Sequence, residues 1–119
     1  MQCLLIFAHD DAFIPSANLV AAIHSWIAKA EEQGIRVHGN PLRPAVEAVT
    51  IRIRNEKLIR TEGPFAPSRE NICAYELLET ADLEQAIAAA TEHPMAAVAT
   101  IEVRPVWEFL AESRTQANR

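Results

Sequence analysis

Apolar and polar residues alternate with period two over "VTIRIRNEKLIRTEG", where Val49, Ile51 and Ile53 are separated by Thr50, Arg52 and Arg54. That spacing places the two classes on opposite faces of a strand. Asn55-Glu56 supplies a two-residue turn before Leu58-Ile59 resumes the strand, so the segment predicts a hairpin. In the implied register Arg54 opposes Lys57 and Ile53 opposes Leu58, and Arg60 and Glu62 fall on the side of Ile51 and Ile53. Elsewhere "CLLIFA" (Cys3 to Ala8) is a short apolar run with no helical period, which predicts a central strand buried on both faces. "IRVHG", "NICAYELLE" and "AVATIEVRPV" predict three further strands, the second unusual for carrying Glu76 at its middle.

Helical spacing appears twice. Leu19, Ile23, Trp26, Ile27 and Ala30 recur at steps of three and four, with Ser16 placed to cap the first turn and Gly34 to close the last. Leu83, Ala86, Ile87 and Ala90 make a second stripe, which opens on Asp82 and Gln85 at capping-box spacing and stops before His93-Pro94. "NPLRPAVEA" is a proline-punctuated connection. The order strand, helix, strand, hairpin, strand, helix, strand predicts an α+β fold. It fits a ferredoxin-like split βαβ arrangement with an extra β-hairpin, both helices lying on one face of a mainly antiparallel sheet. The other face needs cover. In a chain this small the simplest cover is a second copy, so a homodimer is expected, with two sheets facing one another in a dimeric α+β barrel. The domain spans residues 1–107 and 108–119 reads as a polar C-terminal tail, with a docked turn through Trp107, Phe109 or Leu110 where the two meet.

Composition narrows the function classes. At 119 residues the chain is the size of one domain, and no apolar run approaches the ~20 residues that cross a bilayer. "MQCLLIFAHDD" carries no basic leader, so a cytoplasmic protein without a membrane partner is expected. A net charge of −5 opposes nucleic-acid binding. Cys3 and Cys73 lie in apolar runs without Cys-x-x-Cys spacing and read as buried, reduced thiols. Neither a Walker loop nor a Gly-x-Gly-x-x-Gly motif is present, so no cofactor is assigned. His9, Asp10, Asp11 and His38 include metal-ligand types, but no spacing fixes their geometry and no metal site is assigned.

Gly63 is one of only three glycines, and it stands between Glu62 and a Pro-Phe pair at the end of the hairpin. Gly63-Pro64 turns the chain away, because proline cannot continue a ladder, and Phe65 is expected to anchor the turn by burial. Glu62-Gly63-Pro64-Phe65 resembles the DGPF motif of the YCII-related family. The resemblance extends through "CLLIFA", "EEQGIRVHGNPL", "VTIRIRNEKLIRTEGPFAPSRE", "ADLEQAIAAATEHP" and "IEVRPV", in the order of the family's elements. It implies a ferredoxin-like, dimeric α+β barrel fold. The family's usual aspartate is Glu62 here, and the paired glycines that usually follow the signature are Cys73-Ala74. In the branch nearest the founding members a histidine on the first helix is proposed to pair with an acid, but the spacing of His24 to Gly34 does not match and His24 takes no role. The resemblance also implies a gene neighbourhood with extracytoplasmic-function sigma factors and no assigned biochemical role.

Glu62 is the first candidate site residue. As a general acid or base it would need partial burial; in a structural role it would cap the turn or pair with Arg69. His9 would be a base oriented by Asp10 or Asp11, or a solvent-facing loop residue. Glu76, Glu102 and Arg104 are expected on the face opposite the helices, either lining a polar pocket or pairing with one another. Arg52, Arg54 and Lys57 form a basic hairpin face that would attract an anion or simply protect an edge. Two functions follow. One is cofactor-independent, lyase-like or isomerase-like acid–base chemistry on a small anionic or aromatic molecule, with Glu62 and His9 moving protons and Arg104, Asp10 and Phe65 binding substrate. The other is a noncatalytic binding or regulatory dimer.

Overall fold

The structure, a computed structural model, describes residues 1–108; Phe109, Leu110 and the rest of the expected tail lie outside the described residues. In chain order the elements are β1 (Gln2–His9), α1 (Ala17–Glu32), β2 (Arg36–Pro41), β3 (Val49–Arg54), β4 (Lys57–Glu62), β5 (Asn71–Glu79), α2 (Leu83–Glu92) and β6 (Thr100–Pro105). Short 3₁₀ turns occupy Ala45–Glu47 and Pro94–Ala97. Local chemistry fixes the helix ends. Ser16 Oγ accepts the Leu19 N–H at 3.1 Å, Asp82 Oδ1 accepts the Gln85 N–H at 2.9 Å, and Gln85 Oε1 reaches back to the Ala81 N–H at 2.7 Å. Gly34, at φ +73°, ends α1 in the left-handed region.

The main sheet has the order β2-β5-β1-β6, with every neighbouring pair antiparallel. Each helix therefore joins two parallel strands that have an antiparallel strand between them, and the fold is α+β. Strands β3 and β4 form a separate two-stranded sheet.

Both helices pack on one side of the main sheet. Leu5, Phe7 and Leu78 are fully buried there against Trp26, Ala30, Ala89, Ala90 and Met95, and the Trp26 indole N–H ties the helices together by donating to the Ala89 carbonyl at 2.9 Å. His93 belongs to this core as well as marking the end of α2. Its ring lies 4.6 Å from the rings of both Phe7 and Trp26, and its Nδ1 accepts the Met95 N–H at 3.0 Å. Burial penalises the imidazolium and pushes the pKa of His93 down to about 4.

Two sequence expectations need correction. Strand β1 is central, but only Cys3, Leu5 and Phe7 are buried; Leu4, Ile6 and Ala8 on its other face are partly exposed. Both helices stack on the same side, so the described residues leave the second face open. Glu76 lies on the helix side, opposite Leu5 in the register, and not on the open face. It is only 6% exposed, and Arg36 accounts for that: Nε contacts Glu76 Oε2 at 2.7 Å, while Nη1 reaches Glu31 at 2.9 Å and Nη2 the Gly39 carbonyl at 2.9 Å. A Cβ at position 39 would overlap the Glu76 carboxylate, so any larger residue there forces that carboxylate out of its place beside Arg36.

The hairpin has the expected register: Arg54 pairs with Lys57, Ile53 with Leu58, Ile51 with Arg60 and Val49 with Glu62. Asn55 at φ +51° and Glu56 at φ +66° form the turn, whose positive dihedrals match the twist of the strands. Its apolar face is bare. Ile51, Ile53 and Leu58 are 56%, 65% and 67% exposed, and a lone two-stranded hairpin is marginally stable in water.

Candidate functional site

Ladder chemistry builds the turn after the hairpin. The Gly63 N–H donates to the Ala48 carbonyl at 2.7 Å, which carries the pairing one residue past β4, and Thr50 Oγ1 donates to the Gly63 carbonyl at 2.8 Å. Gly63 then takes φ +100°, a conformation that L side chains rarely adopt, and Pro64 ends the ladder. Arg52 Nη2 donates to the Phe65 carbonyl at 3.3 Å. The Phe65 ring is 69% exposed, so within one chain it does not anchor the turn by burial as the sequence suggested. It instead lines, with Pro64, Thr50, Ser68 and Ile72, a cleft of about 500 Å³.

A second recess of about 460 Å³ adjoins this cleft and contains His9, Asp11, Val46 and Cys73; Leu42, Arg43, Pro44, Ala45, Asn71 and Ile72 line both. His9 sits opposite Asn71 at the end of β1. Its Nδ1 lies 2.9 Å from the Asp10 carbonyl oxygen, which can only accept, so the neutral ring carries its proton on Nδ1. Nε2 is left with a free lone pair, the arrangement a proton acceptor needs. Phe13 holds the ring by stacking at 4.6 Å. The Asp10 carboxylate caps its own loop, accepting the Ala12 N–H at 3.0 Å, so the backbone of Asp10 orients His9.

The other candidates stand apart. The Glu62 side chain is 74% exposed and pairs with Arg60 Nε at 3.3 Å; it is not drawn inward, and it flanks the cleft without lining it. Arg104 is 74% exposed and lies 3.7 Å from Glu102. Both are on the open sheet face, because their strand partners are Leu4 and Ile6. Arg104 sits at the far end of β1 from His9, a separation of about 17 Å at the rise of a strand. Within one chain, therefore, His9 and Phe65 share a neighbourhood, Glu62 stands at its rim, and Arg104 is remote.

Three features escaped the sequence reading. Arg43 lines both recesses and pairs with Glu47 at 3.0 Å; its only signal was a cation held between two prolines. Cys73 is half-buried and not fully enclosed, and burial pushes its thiol pKa up, which disfavours the nucleophilic thiolate. On the open face, Tyr75 Oη lies 2.9 Å from His38 Nδ1. Among the described residues no three His, Cys, Asp or Glu side chains gather as a metal-ligand set, and no helix is long and apolar enough to cross a membrane.

Comparison with curated proteins finds no match. The family model of the YCII-related domain, by contrast, matches residues 1–110, nearly the whole chain, and the protein belongs to the YCII-related family.

Proposed function

We propose that this protein is a homodimer of the family's DGPF branch that binds a small organic molecule on the open side of its main sheet, with the cleft beside Gly63-Pro64-Phe65 as the entrance. The observation that carries this reading is the bare apolar surface. Leu4, Ile6 and Leu77 on the sheet are only partly covered by the described residues, and Ile72 beside them and Ile51, Ile53 and Leu58 on the hairpin are exposed. A second copy, sheet toward sheet, would bury both surfaces and give the hairpin the packing it lacks alone. Ile72 belongs to the cleft and, as the partner of Ala8, to the open face, so the two are continuous. His9, with its free Nε2, is the group in this region best arranged to take a proton, and Glu62 is the second carrier once a partner chain covers the hairpin. The chemistry is acid–base and cofactor-independent, in a cytoplasmic protein.

A thermal-shift screen of small organic acids, phenols and lactones tests the reading, with wild type compared to Glu62→Gln and His9→Gln. A compound that stabilises wild type by several degrees and loses that effect in either folded variant supports it. If no compound moves wild type, the ligand-binding reading fails.

A further inference from the structure

The open sheet face carries a polar group that the acid–base reading does not use. His38 and Asn40 project from the edge strand β2, and Tyr75 projects beside them from β5, where it pairs directly with Asn40. Tyr75 Oη is 2.9 Å from His38 Nδ1, and Asn40 Nδ2 is 3.4 Å from His38 Nε2. Both ring nitrogens of an exposed histidine are thus held. In the tautomer with the proton on Nδ1, which the Asn40 amide nitrogen beside Nε2 favours, the ring donates to the Tyr75 oxygen. In that tautomer the phenol hydrogen points away from the ring, where it finds no acceptor among the described residues.

Strand register places the rest of the face. Running across the sheet, one row reads Asn40, Tyr75, Ile6, Glu102, and the next reads His38, Leu77, Leu4, Arg104. The middle of both rows is apolar. Leu77, Leu4, Ile6 and the Tyr75 ring form a floor one strand spacing by two residues, roughly 5 by 7 Å between Cα atoms, and the strands that carry Tyr75 and Arg104 are two spacings, roughly 10 Å, apart, the length of one or two fused or conjugated rings. Tyr75 supplies a hydrogen-bond donor at one edge. Arg104, 74% exposed and only 3.7 Å from Glu102 in a loose pair, supplies a cation at the other.

We infer that Tyr75, positioned by His38 and Asn40, and Arg104 are the two polar ends of a ligand site on this face. Its ligand is a planar, largely apolar molecule with a carbonyl or phenolic oxygen at one end and a carboxylate at the other. The inference rests on the ligand-binding reading and adds its recognition groups; it does not depend on Glu62 or His9. Tyr75 is the contacting residue, and His38 and Asn40 are positioning residues.

The test is a titration of full-length protein with 4-hydroxycinnamate, followed through the His38 ring and the Leu4, Ile6 and Leu77 methyl signals by NMR. The expected result is movement of all four sets in wild type. Affinity should be about tenfold weaker in Tyr75→Phe and in Arg104→Gln, which each lose one polar contact, the first from a partly exposed and the second from an exposed position, without disturbing the core. His38→Gln should weaken binding less than Tyr75→Phe. If the probe binds with equal affinity to wild type and Tyr75→Phe and moves only Phe65, Arg43 and Ile72, the assignment is overturned while the binding reading stands. If the probe moves nothing, the assigned ligand class is overturned, and the organic-acid screen of Glu62→Gln and His9→Gln still decides the binding reading separately.

Discussion

His93 makes stability depend on pH in a calculable way. In the unfolded chain its imidazole titrates near 6.5; in the core, enclosed by Phe7 and Trp26 and 4% exposed, it titrates at about 4. Between those values the unfolded state binds the proton that the folded state refuses, so acidification favours unfolding. The contribution of neutral His93 is complete above pH 6.5 and disappears as pH falls toward 4. At about 1.4 kcal/mol per pH unit of separation, the loss amounts to about 3 kcal/mol at most, a large part of a small domain's total stability. Urea unfolding at fixed chain concentration, at pH 7 and at pH 4, reads it in wild type and in His93→Asn. Asparagine can still cap the Met95 N–H that His93 Nδ1 now accepts, but it does not titrate. The variant should be less stable than wild type at pH 7, because a packed ring is lost, and should lose about 3 kcal/mol less between the two pH values. Parallel loss in both proteins would refute the buried neutral imidazole and assign the acid sensitivity to carboxylates.

Other consequences follow from the polar cluster and the hairpin. Glu76→Gln leaves the Arg36 guanidinium without its closest anion in a largely buried site and should cost about 3 kcal/mol in urea unfolding, whereas the double change Arg36→Met with Glu76→Leu should recover most of that. Gly39→Ala should destabilise by about 2 kcal/mol or more, and the penalty should shrink in a Glu76→Ala background where the Cβ no longer meets a carboxylate; a double-mutant cycle measures this coupling. Glu56→Gly relieves a left-handed glutamate in the hairpin turn and should raise the unfolding midpoint, with a gain of up to about 1 kcal/mol.

Much of this architecture was legible because its signals are local. Period-two alternation around Asn55-Glu56 defined the hairpin register residue by residue, and Ser16 and Asp82 marked the helix starts through bonds to residues three positions on. Where partners lie far apart in the chain, the sequence was silent. Glu76 sits in a strand that is apolar on both faces, so alternation could not tell which side it took; the deciding group is Arg36, 40 positions away. His93 looked like a helix stop because it precedes proline, and its place between Phe7 and Trp26 depends on how the helices pack. The burial expected for Leu4, Ile6 and Phe65 needs cover that the described residues do not provide in full. Similarly, the sequence marks His38 only as a metal-ligand type, since its tie to Tyr75 joins neighbouring strands that are 37 positions apart in the chain.

The central claim is that a second copy covers the open sheet and the hairpin, and sedimentation velocity tests it most directly. Wild type should sediment at twice the mass of the chain across the micromolar range, and Ile53→Asp, which places a charge on the bare hairpin face without touching the core, should shift the protein toward the single-chain mass. Wild type sedimenting as a single chain at every concentration, still cooperatively folded, would contradict the account.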